Sequence, residues 1–286
     1  MRHGRACSTG VAEMQQQEIQ ARAIIDRAHG LRVSVIASAA RNYSFLLHDR
    51  MSGATAVVDP IDAETILGVA HALGWKIQHI LNTHHHNCGG NLAIKRATGC
   101  IVHGPKAEAS RIPGIDATHG GGDAFRVGNL QADVLAVPGH TIGHIAYWFS
   151  SASALFCGDT LSPLGCGRLV EGSARKMWWS LSLIRALPAD TLIYSGFECA
   201  QANARFALLI EPTNPQIRAR NKRIDQACSE GRATVPSVLE EEQATNPFLR
   251  ADDPRLAVMM GLRGAKPDEV FAELRKRRDR FFFQPP

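Results

Sequence analysis

The sequence predicts a mixed α/β fold that gives way to a helical C-terminal part, and three observations carry that reading. Short apolar runs with period-two alternation, bounded by turn residues, recur from residue 32 to residue 194. Helix-period segments are interleaved with them. Beyond about residue 200 helical segments follow one another, broken at Pro212 and Pro236. At 286 residues the chain can bury one sizeable core plus a second, smaller unit. The expected division is an N-terminal extension over 1–30, helical or disordered, an α/β domain over 31–199 and a helical domain over 200–286.

Taken in order, the extension lacks a signal peptide's apolar core, because Met14-Gln15-Gln16-Gln17-Glu18 sits where one belongs. Glu13, Glu18 and Asp26 break the acid-poor pattern of a transit peptide, and 19–28 reads as helix. Strands are expected at 32–36, 43–47 and 54–60, the last two joined by turn residues from Asp49 to Gly53. A helix over 63–73 stops at Gly74. The run 77–82 is strand-like and leads into a histidine-rich loop. A short helix over 91–98 ends at Gly99, and 100–103 is a buried strand. Segments 124–127 and 130–137 alternate like hairpin partners, and strands follow at 145–149 and 154–157. A helix over 174–186 precedes a last strand at 191–194. Helices are then expected at 200–211, 215–230, 237–243 and 267–280.

Composition narrows the function classes. Apolar residues at 45% and charged residues at 21% are ordinary for a soluble globular chain. The net charge of +5 comes from intermixed signs, too mild to argue for nucleic acid. No apolar run approaches the ~18 residues a membrane span needs. Seven cysteines without paired spacing, and no secretion signal, suggest reduced thiols in a cytosol.

Ligand-type residues recur where strands end. The loop Thr83-His84-His85-His86-Asn87-Cys88-Gly89-Gly90-Asn91 follows the strand at 77–82. In extended backbone His84 and His86 point one way and His85 the other, which makes a pincer for a borderline metal such as Zn²⁺. The strand at 130–137 runs into Pro138-Gly139-His140, and the strand at 154–157 into Gly158-Asp159-Thr160. Loops at one sheet edge can converge, and glycines beside His140 and Asp159 allow close turns. Alone, His140 could be a core histidine and Asp159 a helix cap. Together with His84 and His86 they form a metal-type set. Three neutral imidazoles and a carboxylate leave Zn²⁺ a net charge near +1, enough to bring the pKa of a bound water toward ~7. Thr83 and His144 read as supports, and His103 and His119 as structural or solvated residues.

From about residue 32 to residue 281 the chain resembles glyoxalase II (hydroxyacylglutathione hydrolase) of the metallo-β-lactamase superfamily. The likeness runs through 83–91, 138–144, Gly158-Asp159-Thr160-Leu161, Gly165-Cys166-Gly167-Arg168, Glu171-Gly172, Leu187-Pro188, Glu211-Pro212, Asn246-Pro247-Phe248-Leu249-Arg250 and 271–281. It implies an αββα sandwich, a C-terminal helical substrate-binding domain, and hydrolysis of S-D-lactoylglutathione to D-lactate and glutathione. It also implies one metal held by His84, His86, His140 and a bridging Asp159, with a water activated there attacking the thioester carbonyl.

The chain departs from the family at the second metal. The family's histidine motif is T-H-x-H-x-D-H before G-G-N, and here Asn87 runs directly into Cys88-Gly89-Gly90, so the Asp-His pair is absent. Phe197 stands where the family has a third second-metal ligand, a histidine. The losses fall on one metal only, so one zinc ion is expected, with Fe or Mn as alternatives. Cys88 and Cys199 are thiols that could rebuild a second site. Two missing residues would turn a helix start by about 200° or shorten its approach by up to ~7 Å, a strain that Gly89 and Gly90 would have to absorb.

For the two carboxylates of glutathione, the resemblance points to Arg168, Arg275 and Arg278, although the family's tyrosines at Val170 and Cys199 are missing. A solvated helix face is the alternative for the basic run at 275–278. The expected protein is thus a cytoplasmic, mononuclear thioester hydrolase of reduced activity, acting on a glutathione thioester. It would have no nucleic-acid or membrane partner and would be a monomer or weak homo-oligomer. The rival is a catalytically inactive glutathione-binding or structural homologue; a nuclease of the superfamily would need the dinuclear site.

Overall fold

Two sheets dominate the computed structural model, which describes residues 23–27, 30–38 and 41–282. The first contains β1 (Ala23–Asp26), β2 (Leu31–Ala37), β3 (Tyr43–Asp49), β4 (Thr55–Val58), β5 (Ile77–Leu81), β6 (Ile101–Pro105) and β7 (Ala117–His119), in that spatial order. It is antiparallel as far as β4 and parallel from β4 onward. Parallel neighbours need crossovers, and helices α1 (Ala63–Ala72) and α2 (Asn91–Thr98) supply the first two. The second sheet is built on β8 (Ala124–Val127), β9 (Leu130–Ala136), β10 (Ile145–Phe149) and β11 (Ala154–Gly158). Beyond a small hairpin of β12 (Leu161–Ser162) and β13 (Gly165–Cys166), helix α3 (Ala174–Arg185) crosses to β14 (Leu192–Ser195), which lies parallel to β11.

Side-chain alternation explains the layering. On β3, Tyr43, Phe45 and Leu47 face the second sheet and pack with Val134, Tyr147, Phe156 and Tyr194. Leu46, between them, points the other way onto Ile66, Val69 and Ile94 of α1 and α2. On the far side, Leu155, Cys157 and Ile193 lie under Met177, Leu181 and Ile184 of α3. The order helix–sheet–sheet–helix is the expected αββα sandwich.

Of the C-terminal helices, α4 (Ala200–Ile210), α6 (Leu239–Thr245), α7 (Pro254–Met259) and α8 (Pro267–Phe282) add residues to the core on the second sheet's helical face, while α5 (Pro215–Ser229) packs against α4. The segment Asn246-Pro247-Phe248 shows why its residues matter. Asn246 Nδ2 donates to the carbonyls of Ser162 and Gly165, while Asn246 Oδ1 accepts from Phe248 N–H. One buried amide thus caps a short turn and ties it to the β12–β13 hairpin. No helix among the described residues is long and apolar enough to cross a membrane.

Two expectations need correction. Residues 23–26, read as helix, form a strand on β2 with Ile24 opposite Ser34 and Ile25 opposite Val33; Arg32 Nε bonds Asp26 at 2.6 Å across the pair. An edge position for Ile24-Ile25 outweighs local helical preference. Residues 1–22, 28 and 29 of the expected 1–30 extension lie outside the described residues. Residues Ser237–Val238, read as the start of a helix, instead form β15, antiparallel to β14. Pro236 cannot extend a helix from upstream, and the helix begins only at Leu239. The C-terminal part is therefore not wholly helical.

Candidate metal centre and adjoining cavity

The ends of β5, β9 and β11 bring His84, His86, His140 and Asp159 to one place. One ring nitrogen from each histidine lies within 4.8 Å of the others. His86 Nδ1 and His140 Nε2 are 3.0 Å apart. Asp159 Oδ2 is 4.0 Å from His84 Nε2 and 3.5 Å from His140 Nε2. His84 is fully buried and His140 nearly so, while His86 sits exposed at the mouth. The two-residue gap does not splay them. Gly90 N–H donates to Pro60 O at 2.8 Å, an approach so close that a Cβ on Gly90 would stand 2.9 Å from that oxygen. Glycine there lets the shortened loop close directly onto α2.

Hydrogen bonds behind the rings decide which nitrogens face inward. Buried Asp59 accepts from Thr83 N–H at 2.8 Å and from the Thr83 hydroxyl at 2.6 Å. When Asp59 is ionised and takes the Thr83 proton, Thr83 Oγ1 is left to accept from His84 Nδ1–H, 3.0 Å away. That leaves the lone pair of His84 Nε2 facing the cluster, where the buried atom has no partner in the protein. His140 Nδ1–H likewise donates to Arg168 O at 2.9 Å, freeing Nε2. His144 stacks on His84 with centroids 4.6 Å apart and accepts Asp159 N–H on Nε2. Thr83 and His144 therefore support the cluster from behind.

Electrostatics favour the neutral imidazole at His84, His86 and His144. Burial, reinforced by neighbouring rings, holds His84 and His144 well below the usual histidine range, and burial lowers His86 too. Neutral imidazole is the form that binds metal. Burial raises the Asp159 carboxyl, with His140 and Arg168 pulling the other way. Burial also lifts Asp59 to about 8, against the pull of its Thr83 hydrogen bonds. One orphaned nitrogen, on His84, and two more converging imidazoles beside a carboxylate fit one divalent ion. They do not fit two: among the described residues no second group of three ligands forms, and Phe197 offers no donor atom. Cys88 instead donates to His85 O at 2.9 Å and Cys199 to Ser162 Oγ at 3.5 Å, and burial raises both thiols, so neither is a ready ligand.

A cavity of ≈ 210 Å³ opens from His140 and Asp159 toward α8, lined in part by Cys166, Cys199, Asn203, Arg275 and Arg278. Arg275 and Arg278 are not a solvated helix face: they are 6% and 4% exposed. Arg275 Nη1 donates to Cys166 O at 3.0 Å and Nη2 to Asp279 at 2.7 Å, while its buried Nε has no partner. Arg278 Nε donates to Asn203 Oδ1 at 3.0 Å. Burial and neighbouring Arg275 lower the Arg278 guanidinium from its usual value. Arg168 is exposed at the rim.

Sequence reasoning missed two residues. Asp59 and Glu108 are buried carboxylates that hold the histidine loops from behind, and nothing local in the sequence marks either. His103 and His119, expected to be structural or solvated, form a hydrogen-bonded row with His79 away from the cluster, at 3.1 and 2.9 Å.

Comparison with known proteins agrees with this architecture. Residues 42–196 match the family model of the metallo-beta-lactamase superfamily, and residues 198–281 match that of the hydroxyacylglutathione hydrolase C-terminus. The chain is 54% identical to a hydroxyacylglutathione hydrolase of Methylococcus capsulatus over 84% of this chain and 94% of that protein. It is 51% identical to one of Rhodospirillum rubrum, over 88% and 99%. The crystal structure of ETHE1 from Myxococcus xanthus shares the fold at a TM-score of 0.61, with 23% identity over 86% of this chain and 97% of that one.

Proposed function

The chain belongs to the hydroxyacylglutathione hydrolase family of the metallo-β-lactamase superfamily, and from that premise we propose that it hydrolyses S-D-lactoylglutathione to D-lactate and glutathione at a centre holding one metal ion. One observation carries the reading: the convergence of His84, His86 and His140 with Asp159 Oδ2, at the mouth of a cavity whose far wall is two buried arginines. Zinc is the ion these nitrogen and oxygen donors suit, with iron or manganese as alternatives. When bound, such an ion supplies an activated water and polarises a carbonyl.

The chain's own residues do the rest. Thr83 and the Arg168 carbonyl hold His84 and His140 with their lone pairs inward. Residues 200–286 act as the substrate-binding domain, with Arg275 and Arg278 meeting the carboxylates of glutathione inside the cavity and Arg168 at its rim. The thiolate leaves without needing much protonation. Without a second ion, Lewis-acid stabilisation worth several kcal/mol is missing, which at ~1.4 kcal/mol per decade lowers the rate on the order of 10³-fold. The unpaired, largely buried thiols suit a cytosolic protein.

Elemental analysis of the purified protein with an assay on S-lactoylglutathione tests the proposal. About one ion per chain and slow metal-dependent turnover are expected. Two ions per chain, or a rate equal to that of a relative with the full Asp-His motif, would overturn it.

A further inference from the structure

Asp159 faces two ways. Its Oδ2 lies toward the histidines, while Oδ1 turns away, buried and without a hydrogen-bond partner. A second buried, unpartnered atom borders the same spot: Asn87 Nδ2, on a residue only 7% exposed. Gly196 locates both, since a Cβ there would stand 2.8 Å from Asp159 Oδ1 and 3.4 Å from Asn87 Nδ2. A donor and an anionic acceptor, each lacking a partner, thus flank one glycine, within reach of a single bridging water. The reversed carboxamide would set an acceptor against the carboxylate, so the donor-inward orientation is the favoured one.

We propose that Asn87 is a positioning residue for Asp159, holding its Oδ1 by a neutral hydrogen bond through one water. That contact keeps Oδ2 turned to the histidines. The idea rests on the single-ion reading above. Its physical basis is charge: a carboxamide satisfies one oxygen of Asp159 without adding an anion. A carboxylate at residue 87 would set two anions side by side, which must share a proton or a cation between them.

The test compares wild type, Asn87→Ala and Asn87→Asp. Each is stripped of metal, titrated with Zn²⁺ against a chromophoric chelator, analysed for ions per chain, and read by its Co²⁺ absorption spectrum. Wild type should hold one ion. Asn87→Ala should hold it about 10–100-fold more weakly with an altered Co²⁺ spectrum, as expected when a partner behind a ligand is removed. Asn87→Asp should hold its ion with an affinity different from that of wild type. Wild-type affinity and spectrum in Asn87→Ala, or one ion at wild-type affinity in Asn87→Asp, would overturn the role given to Asn87. Zero or two ions in wild type would instead overturn the single-ion reading beneath it.

Discussion

Glu108 grips His85 at two atoms: its Oε2 accepts the backbone N–H at 2.9 Å and the ring Nδ1 proton at 2.6 Å. Oε1 of the same buried carboxylate accepts Gly143 N–H at 2.9 Å and the Thr141 hydroxyl. One side chain therefore bolts the loop carrying His84 and His86 to the loop carrying His140. Because donors fill both oxygens, glutamine would turn an N–H against one of them. Glu108→Gln should weaken Zn²⁺ binding by about 10–100-fold, measured by chelator competition. Unchanged affinity would show that the loops hold their spacing without it.

Removing a metal-type ligand should be more severe. His140→Ala should lower kcat/KM on S-lactoylglutathione by at least ~10³-fold, since both the ion and its stabilisation of charge are compromised. Bound metal should fall below one ion per chain. An active variant with its metal intact would exclude His140 from the centre.

The buried arginines predict a different kinetic signature. Losing a charged hydrogen bond costs about 1.5–3 kcal/mol, so Arg278→Ala should raise KM roughly 10–100-fold with a much smaller change in kcat. Lys276, exposed on the same helix, serves as the control, and its alanine variant should behave as wild type. An unmoved KM in Arg278→Ala would remove α8 from substrate contact.

Acid sensitivity should trace in part to His103. Burial, with lesser repulsion from His79 and His119, lowers its pKa from 6.5 to about 4. Between those values the unfolded chain carries a proton that the folded chain refuses. Stability contributed by His103 is therefore present above about 6.5 and is lost as pH falls toward about 4. Urea midpoints at pH 7.5 and pH 5 should drop less for His103→Gln than for wild type. Equal drops would place the acid-sensitive groups elsewhere.

What could be read without coordinates depended on locality. Strands such as β3 were visible because both faces are buried in alternation, so the pattern lies within seven consecutive residues. The histidine cluster was visible because its ligands stand just beyond strands, where loops from separate strands meet at one edge. Glu108 was not, since Lys106-Ala107-Glu108-Ala109-Ser110-Arg111 has the texture of a solvated turn and its partners lie 23 to 35 residues away. Asp59 reads as no more than the tail of the strand expected at 54–60, yet it serves Thr83, 24 residues on. Arg275 and Arg278 were ambiguous for another reason: one turn of a basic helix looks the same whether it lines a pocket or faces water. The strand at 23–26 was lost to helical preference because its stabilising partner is β2.

The two-residue strand β15 has a consequence beyond its size. It is contributed by the C-terminal part, yet it seals the outer edge of the second sheet, with Leu192 opposite Val238 and Ile193 opposite Ser237. A chain cut after residue 199 would leave the backbone amides and carbonyls of β14 unmatched along that border, beside apolar surface stripped of its helices. Such a margin is a template for another molecule's strand, so the fragment should gather into aggregates rather than persist as a working half.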